Sequence, residues 1–285
     1  MINIPRLNPI LFRRFDANLK RNELTIDSLF SYADYGIGVI PVKTWSEIWM
    51  AGKEIKFQLW VDNSFNLNQA ASYVHTFDCN GAEITNRVFY DVREDITPAG
   101  ITDKTVFEIK YPMPTNAGIV KLGLTMVGNE TQYFLTEKVD IIQSEIFTGW
   151  HGKEKDFQYL QLDYKHYENV LGMVFDSEYY TTFIKASIQD EDTEGGAEVY
   201  ENDRGNGATT QRTPKQYRRL TTPPYPDYYR EFIIFALSLS DLQINKNMNI
   251  LIDGDVDRED LEGTNMKSIN ARAQILNYEG FTRQY

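Results

Sequence analysis

Apolar and polar residues alternate along much of the chain after residue 36, which is the pattern of half-buried β-strands. The alternation is most regular over residues 54–61 and 118–127. Their apolar faces carry Ile55, Phe57, Leu59 and Val61 in the first segment, and Val120, Leu122, Leu124 and Met126 in the second. Further strand-like runs lie at 71–77, 84–92, 105–111 and 132–142. Roughly seven strands with turn residues between them predict an antiparallel β-sandwich over residues 37–145, Ig-like or jelly-roll-like.

The pattern is less even after a charged, glycine-containing stretch at 143–156, and we predict a second domain over residues 157–285. Residues 157–164 and 170–175 read as strands. Residues 180–188 alternate again, with Thr182, Ile184, Ala186 and Ile188 on one face and Phe183 on the other. The chain is therefore expected to be mainly β, with an N-terminal arm, the sandwich, and then a β-rich α+β domain.

One helix and one loop are predicted inside the second domain. Tyr228, Phe232, Phe235 and Leu239 recur at helical spacing, which predicts a short amphipathic helix over 227–239 with Asp227 as its N-cap. Residues 190–207 are acidic and hold few apolar side chains, so we expect a long exposed loop there. Residues 1–36 have no sustained period and predict an extended arm.

Charge limits the partners of the chain. The net charge is −12, which argues against general or sequence-specific binding to nucleic acid. Residues 1–22 nevertheless hold five basic residues against Asp16 alone, so this arm could dock on the acidic body of a neighbouring copy or be a frayed terminus. Cys79 is the only cysteine, and no signal sequence or membrane-spanning run is recognised, so we expect synthesis in a cytoplasm without membrane insertion.

Candidate chemistry is sparse, and we predict neither a cofactor nor enzymatic activity. The nearest metal pattern is Asp253, Asp255 and Asp257, whose alternate carboxylates could bind Ca²⁺, although Arg258 and Thr264 stand where an EF-hand loop needs Gly and Glu. The three histidines, His75, His151 and His166, have no recognisable catalytic setting. Trp45, Trp49 and Trp60 could form a sugar-binding platform or simply be core.

The order of segments over residues 40 to 285 resembles virion structural proteins of tailed bacteriophages, in particular the tail and neck ring proteins of crAss-like phages. A closing sandwich strand at 132–142 is followed by strand-like runs, an acidic insert, a basic strand at 216–220, and a helix entered through Pro226-Asp227-Tyr228-Tyr229-Arg230. The resemblance lies in layout rather than in a sequence motif. It brings no catalytic residues with it.

The resemblance implies a structural subunit of the virion, located in the tail or neck below the portal. It would form a homo-oligomeric ring, a dodecamer by the same resemblance, stacked on adjacent tail, neck or portal proteins with DNA or cargo passing through. The alternative is a carbohydrate- or receptor-binding module of a phage tail; an enzyme acting on a polysaccharide is a third possibility that we disfavour. Residues expected at subunit contacts are Arg13, Arg14, Arg218, Arg219, Tyr228 and Tyr229.

Overall fold

The structure is a computed structural model, and it describes residues 1–15, 46–78, 81–84, 92–94, 96–144, 157–176, 178–201, 207–246, 248–254, 256–260 and 266–276. The described residues are mainly β with a single α-helix, which confirms the predicted fold class. The strands of the first half are β1 (Ile2–Asn3), β2 (Phe12–Phe15), β3 (Glu47–Met50), β4 (Glu54–Asp62), β5 (Tyr73–Phe77), β6 (Val92–Arg93), β7 (Lys104–Pro112), β8 (Gly118–Val127), β9 (Thr131–Thr136) and β10 (Val139–Ile142). The second half holds β11 (Gln158–Lys165), β12 (Tyr180–Glu201), β13 (Gly207–Thr221), β14 (Tyr225–Pro226), α1 (Asp227–Leu237), β15 (Asp241–Ile244), β16 (Met248–Ile252), β17 (Asp257–Asp260) and β18 (Met266–Ile275).

The first half packs as two layers of strands around one core. One layer is the sheet β1-β4-β7-β6, and the other runs β3-β10-β8-β9-β2 with β5 beside β8. The predicted apolar faces of β4 and β8 are buried in the core between them. One detail differs from the prediction, because β3 and β10 pair in parallel and the sandwich is not purely antiparallel. Parallel pairing is possible here because most of the sandwich separates the two strands in sequence.

Strand pairing in the second half closes on itself. The order β11-β15-β16-β18-β13-β12 returns to β11 through a further β11–β12 ladder, and every pair in this cycle is antiparallel. A closed cycle leaves no free strand edge where it is complete. A second core fills this region and takes in α1. The boundaries proposed at residues 145 and 157 remain a prediction, and residues 145–156 lie outside the described part.

Strand β12 belongs to both cores. Thr182, Ile184 and Ala186 are buried, and Ile184 and Ala186 pack in the second core with β11. Phe183, on the opposite face, packs in the first core, and its backbone pairs with Ile48 of β3. The alternation predicted for residues 180–188 is therefore confirmed, and it explains why both faces of this strand are apolar.

Residues 1–15 of the predicted arm are part of the folded structure. Strand β1 pairs with β4 and β2 pairs with β9, while Leu7 and Ile10 are buried, one in each core. The Asn8 side chain makes two hydrogen bonds with the backbone of Gln58, accepting from its amide at 2.8 Å and donating to its carbonyl at 2.9 Å. These contacts fix the path of an extended segment. Residues 16–36 of the arm lie outside the described residues.

Helix α1 is shorter than predicted, and it buries a different face from the predicted one. It begins at Asp227, so Pro226 and not Asp227 occupies the N-cap position. The buried stripe is Tyr229, Phe232, Ile233, Ala236 and Leu237. Phe235 of the predicted stripe is 36% exposed, and Leu239 is buried but lies beyond the helix. The predicted stripe is wrong because apolar residues lie on two faces of the helix. The face with more of them packs against the core.

The exposed loop predicted at 190–207 is wrong for most of its length. Residues 190–201 continue β12, which pairs with β13 from Ser187↔Thr221 to Glu201↔Gly207. Irregular register occurs between residues 190 and 193 and between 198 and 199. The low apolar content misled the prediction because two strands can pair their facing backbone groups without a core, and Thr209, Thr210 and Thr213 favour a strand. Residues 202–206 lie outside the described part.

Candidate functional site

Two residues predicted to form contacts, Arg13 and Tyr228, lie against each other. Arg13 is on β2, and its guanidinium carbon is 4.9 Å from the centre of the Tyr228 ring in the first turn of α1. The same guanidinium group is 3.6 Å from Glu137, a carboxylate that is almost fully buried. A cation held over an aromatic ring and beside a carboxylate is restricted in orientation. Arg13 therefore ties the N-terminal segment to the helix and to the turn after β9.

A groove of about 440 Å³ runs between the N-terminal segment and α1. The aromatic rings of Phe12, Phe232 and Phe235 share its wall with the charged Arg6 and Glu231. The remaining lining residues are Ile4, Pro5, Leu11, Arg13 and Tyr228. The groove thus combines apolar surface with charges of both signs, which is the composition of a contact surface for another chain.

Buried carboxylates lie next to this groove without lining it. Burial raises the pKa of Glu47 well above its ordinary value, and the neighbouring Glu137 carboxylate raises it further, while Arg13 and the Leu11 backbone act in the opposite direction. Burial also raises the pKa of the Tyr228 hydroxyl, with a smaller contribution from Glu47. Both effects favour the neutral form of the group. Neither Glu47 nor Glu137 is among the groove-lining residues.

Other predicted contact residues are divided between surface and interior. Arg14 is exposed and lies 3.7 Å from Glu130, and Arg219 is also exposed. Tyr229 is buried, where its hydroxyl donates a hydrogen bond to the Phe183 carbonyl at 3.1 Å, so its placement at a subunit contact is wrong. Arg218 is only 6% exposed, and it is not a surface residue either.

The proposed calcium loop is not assembled in the described structure. Asp253 follows β16 and lies 3.4 Å from Arg272, whereas Asp257 belongs to β17, and Asp255 lies outside the described residues. Among the residues that the structure describes, no group of three or more His, Cys, Asp or Glu side chains could hold a metal ion. The charge of Asp253 is instead balanced by an arginine on the adjacent β18.

The tryptophans do not form a common platform in the described structure. Trp49 is buried, its indole N–H donates to the Lys53 carbonyl at 3.1 Å, and its ring meets that of Phe183 edge-on with centroids 4.9 Å apart. Trp60 is partly buried and donates to the Gly172 carbonyl. Trp45 and the lone Cys79 lie outside the described residues. A sugar cannot stack on Trp49 without unfolding its surroundings.

Sequence reasoning missed a polar layer between β4 and residues 172–180. Gln58 is fully buried, and its side chain both donates to the Val174 carbonyl at 2.6 Å and accepts from the Val174 amide at 2.9 Å. Nearby, Arg93 lies 2.8 Å from Asp176. The available signal was Trp60 on the same face of β4 as Gln58, since an aromatic there indicates a covering segment.

The β12–β13 hairpin extends past the rest of the closed cycle. Strand β11 accompanies β12 only as far as Ala186, and β18 accompanies β13 only from Gln216 onward. Beyond these points, residues 193–201 and 207–215 pair with each other, and we call these two segments the ribbon. At about 3.4 Å per residue the nine residues on each side span about 30 Å. No described strand pairs with either outer edge of the ribbon.

The two sides of the ribbon carry opposite charge in their sequences. Residues 193–201 contain Glu194, Glu198 and Glu201 and no basic residue, whereas residues 207–215 contain Arg212 and Lys215 and no acidic residue. In the backbone register Glu194 stands opposite Lys215, and Arg212 stands opposite Ala197. In sequence, one strand of the ribbon is therefore acidic and the other basic.

Comparison of the chain with protein-family models, with curated proteins and with solved structures finds no match in any of the three. In the described part of the chain no helix is long and apolar enough to cross a membrane.

Proposed function

We propose that this chain is a structural subunit of a bacteriophage virion that assembles into an oligomeric ring in the tail or neck, below the portal. The observation that carries the proposal is the ribbon, whose two outer edges have no partner strand among the described residues. Unpaired backbone donors and acceptors along an extended edge favour association with another chain. The ribbon is about 30 Å long, and we assign it to assembly.

The groove and the layout of the sequence support the same proposal. The groove beside α1 presents apolar and charged groups of the kind found at protein contacts. The order of segments resembles that of phage tail and neck ring proteins, and in that family a dodecamer is implied. Net charge of −12 is compatible with a ring through which DNA slides, since acidic walls repel phosphate groups.

The experiment is identification of the chain in purified virions by mass spectrometry, followed by determination of its position in a particle reconstruction. We expect many copies arranged as a ring in the tail or neck. A chain that is absent from the virion, or that occurs only in infected cells as a free enzyme, would overturn the proposal. The alternative of a carbohydrate-binding module is weakened by the burial of Trp49, which removes one of its three tryptophans from the surface.

A further inference from the structure

We infer that the ribbon of one copy pairs edge to edge with the ribbon of a second copy of this chain, the β12 edge of one lying beside the β13 edge of the next. The inference deepens the proposed function, on which it rests, by naming the contact between copies. It also specifies the arrangement of that contact, which is head to tail rather than two-fold.

The backbone supplies the first reason. On each outer edge of the ribbon, alternate N–H and C=O groups point away from the partner strand, and among the described residues no other strand pairs with them. An added antiparallel or parallel strand would satisfy these groups with main-chain hydrogen bonds. A second copy of the chain offers a strand edge of the same shape. It is also always present at the same concentration as the first copy.

Charge supplies the second reason and selects which edges meet. Side chains on neighbouring strands come within about 5.5 Å of one another, so like charges there repel and opposite charges attract. Two β12 edges would bring three glutamates against three, and two β13 edges would bring Arg212 and Lys215 against the same pair. Only the mixed pairing sets acidic residues beside basic ones. A two-fold contact through either edge is thereby disfavoured.

A mixed pairing has a consequence for assembly. After a single contact one copy keeps its β13 edge free and the other keeps its β12 edge free, so the contact repeats from copy to copy. Such a series closes into a ring if the rotation between copies allows it and continues as a filament if it does not. Pro214 has no N–H to give to a neighbour, and the register shift at residues 198 and 199 leaves Thr210 of β13 as an extra residue, so the paired stretch is short.

Charge reversal on one side of the ribbon tests the inference in the full-length chain. One variant carries Glu194→Lys with Glu198→Lys, and a second carries Arg212→Glu with Lys215→Glu. A third variant carries all four changes and so exchanges the charges of the two sides while keeping opposite charges at the 194–215 pair inside the hairpin. Far-UV circular dichroism establishes that each variant folds, and sedimentation velocity measures self-association.

The wild-type chain and the four-fold variant are expected to form the same oligomer. Each two-fold variant alone is expected to be largely monomeric, with its association constant lowered at least about tenfold, the effect of 1.4 kcal/mol. An equimolar mixture of the two is expected to recover the oligomer, because every contact then joins opposite charges. The inference is overturned if the wild type is monomeric, if either two-fold variant associates normally, or if the mixture stays monomeric.

These outcomes separate the inference from the proposed function. A wild-type ring that survives both reversals removes the ribbon contact but leaves a virion ring subunit in place. The presence and position of the chain in purified virions test the function independently of the ribbon. If the charges serve instead to keep edges apart, the reversed variants would associate more strongly than the wild type, which also overturns the inference.

Discussion

Replacing Phe183 by alanine tests whether β12 holds the two cores together. Phe183 is fully buried in the first core, although its neighbours Thr182 and Ile184 face the other side of the strand. Truncation of a buried phenylalanine costs about 3–5 kcal/mol. The edge-to-face contact with Trp49 accounts for about 0.5–1.5 kcal/mol of this. Such a loss is a large part of the total stability of a protein domain, which is about 5–15 kcal/mol.

The assay is equilibrium unfolding in urea, followed by tryptophan fluorescence and by far-UV circular dichroism. Because β12 contributes to both cores, Phe183→Ala should lower the unfolding midpoint by the same amount with both probes. Ile184→Ala, on the same strand but in the second core, should do likewise. Phe183→Leu is the matched control, and it should cost less because it keeps an apolar side chain of similar volume.

Two results would refute this reasoning. A loss of less than about 1 kcal/mol for Phe183→Ala would mean that the side chain is not packed as described. Separate midpoints for the two probes, with Phe183→Ala moving only one of them, would mean that the two cores unfold independently and that β12 does not couple them.

Further predictions concern packing and pH. Gly123→Ala should lower the free energy of unfolding by about 1–3 kcal/mol in thermal denaturation, because the added methyl group would overlap the His75 ring. Adding His75→Ala should recover part of that loss. Equal stability of Gly123→Ala and the wild type would contradict the prediction. The raised pKa of Glu47 means that wild-type stability falls as pH rises above about 4.3, at up to about 1.4 kcal/mol per pH unit, until the folded-state pKa is reached. Glu47→Gln should remove this fall in urea unfolding across the pH range, and an unchanged pH profile would speak against a buried carboxyl. Burial opposes ionisation of Asp176, but the Glu178 amide, Arg93 and Lys56 outweigh it and lower the pKa of this carboxyl. The contribution of Asp176 to stability is present above about pH 3.9 and is lost as the pH falls through its folded-state pKa. Asp176→Asn should therefore destabilise the protein at neutral pH and flatten the acid side of the plot of unfolding free energy against pH. Identical plots for the variant and the wild type would exclude the Arg93 pairing.

Much of the sandwich was predictable because burial on one face of a strand imposes a period of two. Ile55, Phe57 and Leu59 alternate with polar residues, and they lie in the core. The same reasoning separated Phe183 from its neighbours. The alternation could not predict that the other face of β4 is covered, because Gln58 looks like a solvent-facing residue in the sequence. In the structure its side chain bonds to the backbone of Val174, which lies over that face.

Closure of the second half and the path of the ribbon could not be predicted locally. The ladder between β11 and β15 and the one between β13 and β18 join segments distant in sequence, and no local pattern specifies such pairs. The strand predicted over residues 170–175 fails because Leu171 and Gly172 adopt positive φ in a tight turn between the isolated bridge residues Val170 and Met173. Acidic composition at 190–201 indicated exposure but not conformation, because a ladder without a core has no apolar signature.

The predicted contact residues also show which features a sequence can predict and which it cannot. Arg13 and Tyr228 were predicted from charge and position in the chain, and the structure brings them together at one groove. Tyr229 differs from Tyr228 by one position, a rotation of about 100° on a helix, and this rotation places Tyr229 in the core and Tyr228 at the wall of the groove. The sequence pattern could not resolve that rotation because both tyrosines are followed by apolar residues at helical spacing.

We propose that the chain is a ring-forming structural subunit of a virion, and a cryo-electron microscopy reconstruction of purified virions, with this chain fitted to the density, tests that proposal. We expect a ring of copies in the tail or neck, in which the β12 edge of each ribbon lies beside the β13 edge of the next copy. Particles that contain no density for the chain, or that carry it only as single copies at a tail tip, would show that the chain is not a ring subunit.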